Sequence, residues 1–315
     1  MKNANLEKLD SLINIALDLE AAHEADKRAA ATATLSVEKQ APRVGLDAQE
    51  FWAAVKRVDR FEFSPECSFT HSSEIGEKFR ELRANLQTLQ VDKGVKTLVF
   101  SSSRHNEGKT HTAVNTARFI AQSKGRRTLL VDCDLRRPRV KSHIFTKSDY
   151  YLEDVLTGKC QASDAVVYSE QDNLAVILTR HGQPNATEML EAPAMAQFLA
   201  TVRRAFDFVI IDTSPILSTT DPMILGAMSD GVILVVKTGF TQRESVEHAI
   251  SLMCQSNAKV LGVVLSQMKN YIPKYLYKYH YFSDAYSDYY TDANQKEPRS
   301  RKRRKTENKD EQPVG

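Results

Sequence analysis

Residues 95–114 read Val-Lys-Thr-Leu-Val-Phe100-Ser-Ser-Ser103-Arg-His-Asn-Glu-Gly108-Lys109-Thr110-His-Thr-Ala-Val. Val95–Phe100 is a mostly aliphatic run, the composition of a strand buried on both faces. Lys109–Ser123 then sets Ala113, Val114, Ala117, Ile120 and Ala121 on one helical face, and Gly125 marks the stop. Between strand and helix stands Ser103–Thr110. Such a loop binds phosphate when backbone N–H groups at a helix start face the anion. A lysine then reaches the β- and γ-phosphates, and a hydroxyl holds Mg²⁺. Gly108, Lys109 and Thr110 supply the end of the GxxxxGK[ST] spacing, while Ser103 stands at its first glycine. The expected cofactors are ATP and Mg²⁺. The residues expected to contact the nucleotide are Arg104, His105, Asn106, Glu107, Gly108, Lys109, Thr110 and His111.

The next strand, Thr128–Val131, runs into Asp132-Cys133-Asp134-Leu-Arg136-Arg137-Pro138. Open α/β sheets bind ligands beyond the carboxyl ends of their strands. Two carboxylates one residue apart at such an end can serve a metal and a nucleophile; an Asp helix cap or a turn is the plainer reading. A third carboxylate, Asp212, ends the run Phe208–Ile211 and precedes Thr-Ser-Pro. An Asp after a run of aliphatics is the usual Walker B geometry, in which Mg²⁺ is held through its water shell. Val232–Val236 and Val260–Leu265 are two further apolar strands with helical stretches around them. Continuous apolar strands alternating with helices specify an α/β fold, a parallel β-sheet sandwiched by helices, of the P-loop NTPase type.

Outside this region the pattern weakens. Residues 1–26 carry apolar groups at helical spacing and suit an amphipathic helix; 27–71 read as a linker, 72–270 as the P-loop domain, 271–290 as a tyrosine-rich tail and 291–315 as a basic disordered tail. The net charge of +3 gives no global argument for nucleic acid, and no specific nucleic-acid partner is expected. The four cysteines show no metal-ligand spacing and suit reduced thiols. The amino terminus lacks the apolar core of a signal peptide, and no run approaches the roughly 18 apolar residues of a membrane span. A cytoplasmic protein is expected.

With these motifs in order, the chain resembles the bacterial tyrosine kinases of capsule and exopolysaccharide synthesis. Glu107-Gly-Lys-Thr110 resembles the end of their Walker A motif, Val131–Pro138 their Walker A′ motif, and Ile210–Pro215 their Walker B motif. Glu77-x-x-Arg80-x-x-Arg83, the stretch 152–159 and the stretch beginning at Asn173 match as well, so the resemblance covers roughly 70–267. Eight of the eleven tyrosines (Tyr271, Tyr275, Tyr277, Tyr279, Tyr281, Tyr286, Tyr289 and Tyr290) crowd twenty residues after it. The chain departs from the family at His105-Asn106, where Pro-Gly is usual. It departs again at Ser266, where an Asn contacting the base is common.

The resemblance implies an ATP-dependent tyrosine autokinase that phosphorylates its own tail. In that reading Lys109 neutralises the phosphates, Thr110 ligates Mg²⁺, and Asp134 and Asp212 hold the metal's waters. Asp132 accepts the tyrosine hydroxyl proton. The resemblance further implies a homo-oligomer built through Glu77, Arg80 and Arg83, although an exposed ion pair on a helix is the alternative. The implied partners are a membrane-embedded polysaccharide co-polymerase as activator, which would place the protein peripherally at the inner face of the membrane, and a phosphotyrosine phosphatase. Arg136 and Arg137 suit either anion binding or a solvated pair. The run Arg299–Lys305 could be a solubilising tail or bind anionic lipid or nucleic acid. The rival function is an ATPase switch of the partitioning and division-site class. That class carries a lysine early in its loop, where this chain has Arg104, and the tyrosine cluster argues against it.

Overall fold

The computed structural model describes residues 48–69, 73–123 and 125–268. The expectations for 1–26, 271–290 and 291–315 lie outside the described residues. The chain opens with helix α1 (Ala48–Ala54), strands β1 (Lys56–Val58) and β2 (Glu62–Phe63), helix α2 (Glu74–Lys93), strand β3 (Thr97–Ser102) and helix α3 (Lys109–Ala121). Strands β4 (Thr128–Asp132) and β5 (Ile144–Phe145) follow, then short helices α4 (Leu152–Leu156) and α5 (Ala162–Ala165), strands β6 (Val167–Ser169) and β7 (Leu174–Ile177), and helices α6 (Ala186–Glu191) and α7 (Pro193–Ala205). Strand β8 (Phe208–Asp212), helix α8 (Asp221–Ala227), strand β9 (Gly231–Lys237), helix α9 (Arg243–Gln255) and strand β10 (Val260–Ser266) complete the domain.

Eight strands form one sheet in the order β1-β6-β7-β4-β8-β3-β9-β10. All neighbours are parallel except β6 and β7. The expected parallel sheet is therefore right at its centre and broken once near an edge. There Asn173, at φ 52°, turns the chain back on itself within a few residues. The sheet is covered on both faces. Val99 faces a cluster that includes Phe198, Leu199, Val202 and Met253, while Leu98 and Phe100 face Ala113, Val114, Ala117 and Ile120 of α3. That alternation follows from the two-residue period of a strand.

The domain starts earlier than residue 72. Residues 48–69, expected within the linker, are built into the sheet and its core. Strand β1 pairs with β6, and Phe51 and Val55 are buried. Phe51 meets Phe206 edge-to-face at 5.8 Å, and Trp52 Nε1 donates to the Ala205 carbonyl at 3.3 Å. A seven-residue helix is marginal alone; burying a Phe and a Val, at roughly 1.5–3 kcal/mol each, is what fixes it. Strands of three and two residues carry too little period to be read from sequence.

Helix α2, Glu74–Lys93, has ordinary ends. Ser73 Oγ accepts from the Gly76 N–H at 3.0 Å, and Gly94, at φ 66°, closes the helix by donating to Gln90 O. Among the described residues no helix is long and apolar enough to cross a membrane.

Candidate nucleotide and phosphoryl-transfer site

Strand β3 delivers the phosphate loop to the carboxyl edge of the sheet, between β8 and β9. The loop turns with Asn106 at φ 63° and Gly108 at φ 91°. Asn is one of the few side chains that tolerates the left-handed region, so the turn forms without the usual Pro-Gly. The N–H groups of Gly108, Lys109, Thr110 and His111 donate no hydrogen bond to the described residues. Four consecutive free amides at the start of α3 form an anion site.

Beneath them the carboxylates converge. Strands β4 and β8 pair so that Asp132 lies opposite Asp212. Lys109 Nζ donates to Asp134 Oδ2 at 2.9 Å and to Thr110 Oγ1 at 3.3 Å, and lies 3.7 Å from Asp212 Oδ1. Asp132 Oδ2 accepts from the Val140 N–H at 3.0 Å and Oδ1 from the Asp134 N–H at 3.3 Å. All four charged groups are buried. Burial pushes the Asp212 carboxyl up to about 6 against the pull of the Lys109 ammonium. Burial, and then the neighbouring Asp212 charge, holds Asp132 well above the carboxylate range. Burial alone would lower Lys109, but Asp212 and Asp134 outweigh it and hold the ammonium above its ordinary value.

Magnesium fits this donor set. Both Asp212 oxygens are buried without a hydrogen-bond partner, and the Lys109 ammonium stands off at 3.7 Å, which leaves them open to a further cation or its waters. Among the described residues no three His, Cys, Asp or Glu side chains form a metal cluster. A phosphate-bound Mg²⁺ needs none, since it keeps several waters and takes phosphate oxygens as ligands.

Not every expected contact faces the phosphates. The His111 ring turns away, its Nε2 lying 3.0 Å from the Glu66 carbonyl. Glu107 is fully buried: Oε2 accepts from the Arg104 N–H at 3.2 Å and Oε1 from the Thr241 hydroxyl at 2.6 Å. Ser266 Oγ donates to the Glu107 carbonyl at 2.5 Å, and a Cβ on Gly108 would meet that Oγ at 3.4 Å. Glu107, Thr241 and Ser266 thus clasp the phosphate loop to the ends of β9 and β10. Sequence reading assigned Glu107 to the nucleotide and missed Thr241, which no motif marks. Thr241→Val removes a donor from a buried carboxylate, a loss of about 1–3 kcal/mol. It is expected to weaken ATP binding about tenfold in calorimetric titration, with Thr241→Ser restoring it; equal affinities in all three proteins would discard the clasp.

The remaining candidates separate. Arg136 Nε donates to the buried Asp221 at 2.8 Å, and Thr187 donates to the same carboxylate at 2.9 Å, so Arg136 ties the loop after β4 to the start of α8. The Arg137 side chain is exposed and outside every ion pair of the described residues. On α2, Arg80 pairs with Glu77 in the same helix, and Arg83 donates to the Phe119 carbonyl at 3.3 Å. Within one chain these three side chains are already partnered. All four cysteines are free thiols, as expected.

A family model described as an AAA domain matches residues 95–266. The chain is 34% identical over 193 residues to the tyrosine-protein kinase YwqD of Bacillus subtilis, covering 61% of this chain and 81% of that protein. It is 28% identical over 198 residues to the succinoglycan biosynthesis transport protein ExoP of Rhizobium meliloti, covering 62% of this chain and 25% of ExoP. Among solved structures, the chimerical protein CapA2B2 superposes with a TM-score of 0.61 at 28% identity, over 68% of this chain and 93% of that one.

Proposed function

This chain belongs to the AAA-domain P-loop family and, within it, to the bacterial tyrosine-protein kinases, and on that premise we propose that it transfers the γ-phosphoryl group of ATP to tyrosines of its own tail. The observation that carries the proposal is the buried set of Lys109, Asp132, Asp134 and Asp212 beneath four free backbone amides. Phosphoryl transfer rests on positioning and charge stabilisation, and this set supplies both. The amides of Gly108–His111 hold phosphate oxygens, and Lys109 neutralises charge on the β- and γ-phosphates. Thr110, Asp134 and Asp212 would hold Mg²⁺, which when bound spreads the charge of the same phosphates. Asp132 takes the phenolic proton, because a tyrosine hydroxyl with pKa near ~10 is a poor nucleophile at neutral pH.

The acceptor is argued from composition, since eight tyrosines within 271–290 are more than a core of this size requires. The likeness to ExoP, a transport protein of polysaccharide synthesis, supports a role in exopolysaccharide or capsule export with a membrane co-polymerase as activator. A phosphotyrosine phosphatase as counterpart and self-association through the Glu77–Arg83 face of α2 belong to the same proposal.

The test is mass spectrometry of the full chain after incubation with Mg-ATP, alone and with the cytoplasmic segment of such a membrane protein. Phosphotyrosine concentrated in 271–290 is the expected result. Changing all eight tyrosines to Phe should remove most incorporated phosphate while ATP affinity is kept. Phosphate on Ser or Thr, or none with the activator present, would favour an ATPase switch of the partitioning class.

A further inference from the structure

We propose that Arg137 and Arg139, with Arg104 across the phosphate loop, form a basic rim that selects tyrosines flanked by acidic residues, so that Tyr286, Tyr289 and Tyr290 are phosphorylated ahead of Tyr271–Tyr281. This rests on the kinase reading and names the substrate class of the same site.

The rim is attached directly to the catalytic carboxylates. The Arg137 N–H donates to Asp134 Oδ1 at 2.9 Å, and Arg139 immediately precedes Val140, whose N–H donates to Asp132. Arg104 sits on the phosphate loop, its N–H bonded to Glu107. All three side chains are exposed, and none enters an ion pair among the described residues. Their neighbours are engaged by contrast: Arg136 with Asp221, Arg180 with Asp154, and Lys141 with the Arg180 carbonyl. Three exposed guanidinium groups, carried on the two loops whose backbone holds Glu107, Asp134 and Asp132, add positive charge that attracts anions and repels cations.

The tail divides by charge along the same line. Tyr275, Tyr277 and Tyr279 lie among Lys274, Lys278 and His280, whereas Tyr286, Tyr289 and Tyr290 lie among Asp284, Asp288 and Asp292. A carboxylate stands two residues before Tyr286 and one before Tyr289, so acid and acceptor ring come as a pair in the sequence. The basic run from Arg299 does not cancel this. Eight residues separate it from Tyr290, a reach of up to roughly 30 Å, against a Debye length of about 8 Å at physiological salt. Arginine suits the task because its planar fork meets a carboxylate through two N–H groups.

The test is a time course on the full chain with Mg-ATP and activator, each tyrosine followed by mass spectrometry. Phosphate should appear first on Tyr286, Tyr289 and Tyr290. In the Arg137→Gln, Arg139→Gln double variant the initial rate at those three should fall roughly tenfold, the sum of exposed ion-pair contributions, and the order should vanish while ATP affinity is kept. Changing Asp284, Asp288 and Asp292 to Lys should do the same, and pairing that tail with Arg137→Glu, Arg139→Glu should restore the order. Equal rates along the tail, or an order untouched by these variants, overturns the proposal. Binding is read separately, by fluorescence anisotropy of a labelled peptide of residues 282–292 on the full chain. Salt-sensitive binding that the double variant loses supports the rim even where no phosphate is transferred, an outcome that sinks only the kinase reading. Salt-insensitive binding, or none, rejects the rim.

Discussion

Replacing Lys109 with methionine is expected to lower ATP affinity by at least about 100-fold and to cost the protein more stability at pH 8 than at pH 5.5. The affinity follows from charge. A hydrogen bond to a charged group contributes about 1.5–3 kcal/mol and each 1.4 kcal/mol is a factor of ten, so two lost bonds to phosphate oxygens reach that figure. The Asp134 carboxylate, left without its cation, would then repel the phosphates as well. The stability effect follows from burial. Lys109 is the cation at 2.9 Å from Asp134 and 3.7 Å from Asp212, and removing one partner of a buried pair destabilises by about 3–5 kcal/mol. Asp212 already titrates at about 6 with the lysine present, and rises further without it. A carboxyl raised in the folded state favours folding fully below its unfolded pKa of about 4. That contribution is lost as pH climbs through the folded value. Between about pH 4 and 6 both proteins lose it in parallel, so the deficit of the variant against wild type grows between about 6, where wild-type Asp212 ionises, and the higher value in the variant. Thermal melts at pH 5.5 and 8 and calorimetric titration with Mg-ATP measure both effects. An equal deficit at both pH values, or undiminished ATP affinity, would sink the assignment of Lys109.

Much of this site was legible because each of its parts leaves a local mark. Gly108-Lys109-Thr110 follows an apolar run and opens a helix, and Asp132 and Asp212 each end a run of aliphatics; strand-end position is enough to bring them together once the sheet is parallel. The register of β4 against β8 then sets Asp132 opposite Asp212. What escaped reading is made of contacts distant in sequence between ordinary residues. Thr241 reaches Glu107 across 134 positions and Ser266 across 159, and no spacing rule joins a Thr after one strand to a Glu before a helix. The segment 48–69 escaped for a different reason. Phe51 and Trp52 pack on Phe206 and Ala205 at the far end of α7, so their burial is decided by a partner 150 residues away rather than by their own periodicity. Arg136 and Arg137 show the limit most directly: adjacent and chemically identical, one is spent on buried Asp221 and the other is free on the rim.

Asp132→Asn is expected to reduce phosphotyrosine formation by about 10²–10⁴-fold, the range for a lost general base, while ATP affinity stays within about threefold. The carboxylate has two candidate duties that the variant separates. Its oxygens accept the N–H groups of Val140 at 3.0 Å and Asp134 at 3.3 Å, and those bonds shape the loop that sets Asp134 beside Lys109. Asparagine has the same outline and keeps one carbonyl oxygen. Turned to preserve the shorter bond to Val140, it sets its NH2 against the Asp134 N–H in place of the longer bond, a donor–donor contact that a small shift of the loop relieves, and the Lys109 ion pair is expected to survive. What it loses outright is the ability to take a proton. If Asp132 only shaped the loop, ATP affinity and turnover would fall together; if it is the base, turnover falls alone. Asp212→Asn supplies the contrast, because neither Asp212 oxygen has a hydrogen-bond partner to lose and its charge faces the expected metal. Its defect should shrink as Mg²⁺ is raised, through partial recovery of initial rate, whereas the Asp132→Asn rate should stay low at every Mg²⁺ concentration. Rates that recover for both variants, or for neither, would place the two aspartates in the same role and remove Asp132 as the base.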